Sequence, residues 1–150
     1  MTLDEEYMER ALALAQKAYD MGEIPVGALV VDQQGAVIGE GYNQRETLLS
    51  PTAHAEVLAI EQAARALGSW RLTGCTLYVT LEPCPMCAGA AMNARLARIV
   101  YGAFDEKNGA CASVAALFDE KFTHIPRVRS RILEGRCGDI LTRFFRQLRD

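Results

Sequence analysis

His54, Glu56, Cys84 and Cys87 are the residues of this chain whose types and spacing can do chemistry together. His54-Ala55-Glu56 is followed about thirty residues later by Pro83-Cys84-Pro85-Met86-Cys87. One imidazole and two thiolates make three metal ligands. For zinc that leaves a fourth tetrahedral position for water, whereas a structural site is closed by a fourth side chain. Glu56 coordinates nothing in this arrangement and is free to move protons to and from a water that zinc acidifies from a pKa of about 15.7 to near 7. The combination is hydrolytic. Each half alone has a plainer reading, Cys-x-x-Cys as a redox pair or two buried small residues, His-x-Glu as part of a surface helix. A redox pair, however, needs no upstream histidine. The fourth position has one serious candidate for a closing ligand, Cys111 in the loop before a short helix. Cys75 precedes a strand, and Cys137 and His124 lie in segments that read as remote.

The elements that must position these side chains alternate along the chain. Thr2 with Glu5 fits a capping box, and Tyr7, Met8, Ala11, Leu12, Leu14, Ala15 and Ala18 recur at helical spacing until Gly22. Pro25 to Asp32 and Ala36 to Tyr42 read as a hairpin about the turn Gln33-Gln34-Gly35, followed by a polar loop from Asn43 to Thr52. Ala53 to Leu67 is rich in helix formers and ends at Gly68, so His54 and Glu56 lie at a helix start. Thr76 to Leu81 alternates as a strand, and Pro83 introduces a helix from about Cys84 to Ala94. Arg98 to Gly102 is a fourth strand, Ala103 to Gly109 a loop, Ser113 to Phe118 a short helix, Arg127 to Leu133 a fifth strand and Gly138 to Leu148 a closing helix. This order predicts one α/β domain over residues 1–150, a mixed five-stranded sheet covered by helices on both faces.

Helical geometry then constrains the site. Residues i and i+3 lie about 60° apart, so Cys84 and Cys87 can present both sulfurs to one ion. His54 and Glu56 are i and i+2, about 200° apart in a regular helix, and converge only in a first turn with the ion near the helix end. Two helix starts would then meet at the metal, favouring thiolates and developing negative charge.

Composition sets the class. At 150 residues, half of them hydrophobic, the chain is the size of one ordinary domain. The amino-terminal stretch MTLDEEYMER has acidic residues where a secretory signal has basic ones, and no apolar run is long enough to span a bilayer, so a soluble, cytoplasmic protein is expected. Five cysteines without an export signal argue against a disulfide framework. The net charge of −3 is unevenly spread. Residues 121–150 carry eight Lys/Arg against three Asp/Glu, a basic patch suited to phosphates or simply a solvated face.

With these residues in hand, the chain resembles the zinc-dependent nucleoside and nucleobase deaminases, whose signature is this histidine, glutamate and cysteine pair. Within them it is similar to the bacterial tRNA-specific adenosine deaminases. The likeness runs through Glu23-Ile24-Pro25-Val26-Gly27-Ala28, Gly41-Tyr42-Asn43, Thr52 to Glu56, Thr76 to Ala90, Tyr101-Gly102-Ala103-Phe104-Asp105 and Phe144-Phe145-Arg146. It implies a three-layer α/β/α cytidine-deaminase-like fold, a homodimer, one zinc per subunit held by His54, Cys84 and Cys87, and conversion of the wobble adenosine of a tRNA anticodon to inosine. In that reaction zinc-bound hydroxide attacks C6, with Glu56 as proton shuttle. The resemblance also implies that Asn43 holds the flipped base beside Ala55 and the apolar wall from Val26 to Ala28. Asp105, Lys107, Phe144, Phe145, Arg146 and Arg149 match positions that grip the anticodon loop. Asn43 also reads as a turn residue, and Phe144 and Phe145, about 100° apart on a helix, divide between core and solvent. The alternative reading is a deaminase of free guanine, cytosine or nucleoside. One departure from the pattern is Ala112 before Ser113, where the family usually has glycine, which would stiffen the loop beside bound RNA.

Overall fold

Alternation along the strands decides how the layers form. A computed structural model describes residues 1–149. It places, in order, α1 (Leu3–Asp20), β1 (Gly27–Val31), β2 (Val37–Tyr42), α2 (Ala55–Leu67), β3 (Thr76–Leu81), α3 (Pro85–Asn93), β4 (Arg98–Ala103), a 3-10 turn (Leu117–Asp119), β5 (Arg127–Arg129) and α4 (Glu134–Arg149). Successive strand side chains point to opposite faces. Ala28, Val30, Leu77, Val79, Ile99 and Tyr101 therefore pack with Ala59 and Ile60 of α2 and Ala91 of α3. Leu29, Val31, Tyr78 and Val100 pack on the other face with Met8 and Leu12 of α1 and Ile140 of α4. The strands in a single sheet run β2-β1-β3-β4-β5, with β1 antiparallel to both neighbours and β3, β4 and β5 parallel. The expected three-layer mixed fold is the one observed.

α2 sits unusually close to the sheet. Ala55, Ala59 and Ala63, spaced by one turn, are fully buried, and they face Gly39 and Gly41 of β2. A Cβ at Gly39 would overlap the Ala59 carbonyl, and one at Gly41 the Ala55 carbonyl. Only the absence of a side chain lets the helix backbone approach so nearly. The start of α2, which carries His54 and Glu56, is thereby fixed on the sheet.

α1 begins with the capping box read from Thr2 and Glu5, whose reciprocal bonds measure 3.2 and 2.8 Å. Its first turn also ties the sheet together through buried Asp4. That carboxylate accepts hydrogen bonds from the Tyr78 hydroxyl (2.6 Å), Arg98 (2.9 Å) and Arg129 (2.8 Å), on β3, β4 and β5. Burial opposes its charge, but the bonds from Arg98 and Tyr78 and the two guanidinium charges prevail and hold its pKa below the ordinary carboxylate value. Because the folded carboxyl titrates below its unfolded pKa of about 3.9, the stabilisation is complete above that pH and is lost as pH falls through the folded value. Asp4→Asn is expected to lower the unfolding free energy by about 2 kcal/mol at neutral pH. Denaturant titrations at pH 7 and pH 3 should show the difference shrinking at the lower pH.

Three elements differ from the sequence reading by more than two residues, each for a visible reason. Ser113 to Phe118 does not form a helix. The Val114 and Ala115 N–H groups both go to the Gly109 carbonyl and Leu117 N–H to that of Ala110, leaving only the 3-10 turn at Leu117–Asp119. β5 stops at Arg129 instead of Leu133 because Arg131 and Leu133 adopt positive φ, 69° and 53°, which breaks extended backbone. α4 accordingly starts at Glu134, one turn before Gly138.

Candidate active site

His54 and Cys84 are the N-cap residues of α2 and α3, and neither side chain caps its own helix. Both turn toward each other instead. With Cys84 at the cap and Cys87 in the first turn, the two sulfurs face the imidazole. His54 Nδ1 lies 3.6 Å from Cys84 Sγ and 3.5 Å from Cys87 Sγ. A nitrogen about 2.0 Å and a sulfur about 2.3 Å from one zinc at the tetrahedral angle stand about 3.5 Å apart, so the spacing and the donor set both suit that ion. Among the described residues this is the only group of three or more such side chains close enough to share a metal. Cys111, Cys75, Cys137 and His124 do not join it, and His124 is bonded to the Leu96 carbonyl at 2.7 Å. These three side chains form a possible metal site, and His54 and Cys84 of that group line a cleft.

The protons of the site are strongly displaced from ordinary values. The Cys84 thiol is pulled down to about 4, first by its hydrogen bond from Cys87 and then, against burial, by His54. Cys87 is pushed up by the same pairing and by burial, and His54 is raised chiefly by its bond to Cys84. Metal binding needs both sulfurs as thiolates and so expels the shared proton. Glu56 is buried, 4% exposed, and burial pushes its carboxyl up to about 7. A group poised near neutrality both takes and returns a proton with little cost.

The cleft has a volume of about 800 Å³. His54, Ala55, Glu56 and Cys84 form its floor, Ile24, Val26 and Asn43 one wall, Phe104 to Asn108 another, and Leu141, Thr142 and Phe145 of α4 the far rim. Asn43 is held from both ends. Its Nδ2 donates to the Ile24 carbonyl at 3.2 Å and its Oδ1 accepts from Arg45 N–H at 3.1 Å. An amide so placed keeps one N–H and one lone pair for a ligand.

The other candidate contacts divide. Asp105 and Lys107 line the cleft. Ala28 does not: it shares a strand face with Val26 but is fully buried in the core one pleat further on. Phe144 does not either. It is 5% exposed and packs edge-on against Tyr19, whereas Phe145 is 42% exposed on the rim. Arg146 lines an adjoining groove between α1 and α4, with Glu9, Arg136 and Arg143, and Arg149 lines neither. Two buried glutamates have no counterpart among the residues picked out by their chemistry. Glu23 accepts N–H bonds from Glu46 (3.2 Å) and Thr47 (2.6 Å) in the loop after Asn43. Glu82 does the same for the loop after β4, and burial of its charge is outweighed by the Ser113 hydroxyl and by backbone N–H groups, which hold its pKa low. A glutamate beside a strand end in an otherwise apolar run was the available signal for both.

Residues 1–103 match the profile of the cytidine and deoxycytidylate deaminase zinc-binding region. The chain belongs to that family. Within it, the tRNA-specific adenosine deaminase of Bacillus subtilis is 50% identical over 99% of this chain and 92% of its own length. The tRNA-specific adenosine deaminase of Haemophilus influenzae is 47% identical over 98% of this chain and 86% of its own. A solved structure from work on A-to-I editing by tRNA:A34 deaminases at the wobble position superposes with a TM-score of 0.88 at 44% identity, covering 91% of this chain and 99% of that one. His54, Cys84 and Cys87 form a possible metal site, consistent with one zinc per chain in this zinc-binding family.

Proposed function

We infer that the protein is a zinc-dependent hydrolase that deaminates the wobble adenosine of a tRNA anticodon to inosine. The observation that carries this reading is where the similarity extends. The deaminase profile ends at residue 103, but the likeness to tRNA-specific adenosine deaminases continues through the loop 105–108 and α4, which build the substrate side of the cleft. Zinc held by His54, Cys84 and Cys87 would supply a Lewis acid that brings the pKa of water toward neutrality. The chain's own groups do the rest. Water adds at C6 of adenine, the C6–N6 bond breaks and ammonia leaves. Glu56 accepts one proton of the water and delivers it to N1, then carries the second, from the new C6 hydroxyl, to the departing amine, leaving a C6 carbonyl. Asn43 holds the base edge, with Val26, Ala55 and Phe104 enclosing its faces, and Asp105 and Lys107 meet the flanking nucleotides. A base at this depth has left its stack.

Purified protein incubated with total tRNA should produce inosine at the wobble position, read by sequencing. Comparable turnover of tRNA and free adenosine would instead return the chain to the free-base or nucleoside reading.

The rim assigns α4 a stacking and a charge role. Phe145→Ala is expected to weaken binding of an anticodon stem-loop by about 1–3 kcal/mol, the worth of one stacked base. Arg146→Gln with Arg149→Gln should reduce the slope of log affinity against log salt by about one for each phosphate no longer neutralised. Fluorescence titration at several salt concentrations measures both, and an unchanged slope would make these arginines an ordinary solvated face.

Two further parts of the reading concern assembly and place. α3 has no charged side chain, and its Met86, Gly89, Ala90 and Met92 are only part-buried in the single chain. A second copy of the same helix suits that face, giving a homodimer that solution mass measurement tests. No helix among the described residues is long and apolar enough to cross a membrane, and a cytoplasmic location is compatible with a tRNA substrate.

A further inference from the structure

Glu82 lies between the strand that ends at Leu81 and the zinc helix, two residues before Cys84. It is 2% exposed, and it coordinates nothing. Its carboxylate is spent on one segment. Oε1 accepts from Asp105 N–H at 3.0 Å and from the Ser113 hydroxyl. Oε2 accepts from Cys111, Ala112 and Ser113 N–H at 3.1, 2.8 and 2.9 Å. Five donors from a single loop converge on one buried charge, which offsets the cost of burying it. The loop is also fitted to the carboxylate from above, since a Cβ at Gly109 would overlap it.

The same short stretch anchors both the loop and the metal. Glu82 holds the loop's two ends, the Pro83 carbonyl accepts Ala110 N–H at 2.9 Å, and Cys84 is a zinc ligand. Between the held ends lie Asp105, Glu106, Lys107 and Asn108, which wall the cleft. Ala112 keeps an ordinary negative φ while it donates, so the loop closes here without the glycine usual at that position.

We propose that Glu82 is a positioning residue for the substrate, setting the height of the 105–108 wall above the zinc site through its bonds to the loop. It borders the cleft, but its carboxylate is taken up by the loop, so it acts on binding through the loop. The proposal rests on the tRNA reading for the identity of the ligand and on geometry alone for the loop.

Glu82→Gln is the direct test. A glutamine fits the space, but its NH2 would oppose the N–H groups that now donate to a carboxylate. Hydrogen exchange at Ala112 and Ser113 should accelerate about tenfold or more, the scale of one charged hydrogen bond. With an anticodon stem-loop, KM should rise about tenfold while kcat stays within about threefold, because uniform binding is lost and chemistry is kept. Zinc content should stay at one ion per chain. Gly109→Ala displaces the same contact from the loop side and should reproduce the KM effect even if Glu82→Gln does not fold. Unchanged exchange and KM in a folded Glu82→Gln protein would overturn the proposal, as would a fall in kcat accompanied by loss of zinc, which would make Glu82 a support of the metal helix only. A wild-type protein inactive on RNA would overturn the tRNA reading and the substrate half of this one, while the exchange data would still decide the loop half.

Discussion

Glu56→Ala is expected to leave a folded, zinc-loaded protein whose deamination rate falls by a factor of about 10²–10⁴. The residue lies two positions from His54 yet is not among the metal-ligand atoms, so its removal should spare the ion. It is buried at the cleft beside His54 and Cys84, and burial raises its carboxyl above the ordinary carboxylate value, which suits a group that both takes and returns a proton. Alanine removes that group, and bulk water is a poor substitute in a site that burial has dried. Single-turnover rates, metal analysis and circular dichroism together test the assignment. A variant that still deaminates at the wild-type rate would take Glu56 out of the mechanism, and a variant without zinc would make it a support for His54.

Cys87→Ala is expected to act on the metal first and on everything else through it. Cys87 is fully buried in the first turn of α3 and lies 3.5 Å from His54 Nδ1, in the one group of possible metal ligands among the described residues. An ion that binds only the folded state adds about 4 kcal/mol of stability when free zinc is a thousandfold above Kd. That increment should appear between zinc-saturated and chelator-treated wild type and be absent in Cys87→Ala, which should also be inactive. Denaturant titrations with and without chelator read it directly. Zinc at one ion per chain in the purified variant would strike Cys87 from the ligand set.

How much of this was legible in the sequence depends on the range of the forces involved. His54, Glu56, Cys84 and Cys87 declare themselves because metal and acid-base chemistry restrict residue type and because each pair opens a helix with a local start signal. The strands β1 to β4 were legible from alternation alone, since half-buried sheet enforces a period of two. The loop 109–118 was not. Its alanines and leucine favour a helix locally, but a carboxylate far away in the chain, Glu82, takes the Ala112 and Ser113 amides, and no local rule expresses that. The end of β5 failed similarly, because two residues with ordinary strand propensity, Arg131 and Leu133, adopt left-handed backbone to bring α4 back over the sheet. The division between Phe144 and Phe145 needed the position of Tyr19 on another helix. The resemblance carried Ala28 into the cleft along with Val26, and only the packing of the sheet shows that Ala28, on the same strand face, lies wholly in the core.

Gly39 and Gly41 bear on where the work of recognition is done. With α2 pressed onto β2 so closely that a single methyl would collide with the helix backbone, the histidine and glutamate at its head have no slack along or across the sheet. Such a centre does not reshape itself around an arriving nucleotide. The unstacking and twisting that bring an adenine edge to it must be borne by the RNA, so an anticodon loop that opens cheaply should be favoured over a stiffer one with the same bases. Discrimination among tRNAs then becomes partly a property of how readily each loop deforms, read by a protein that holds still.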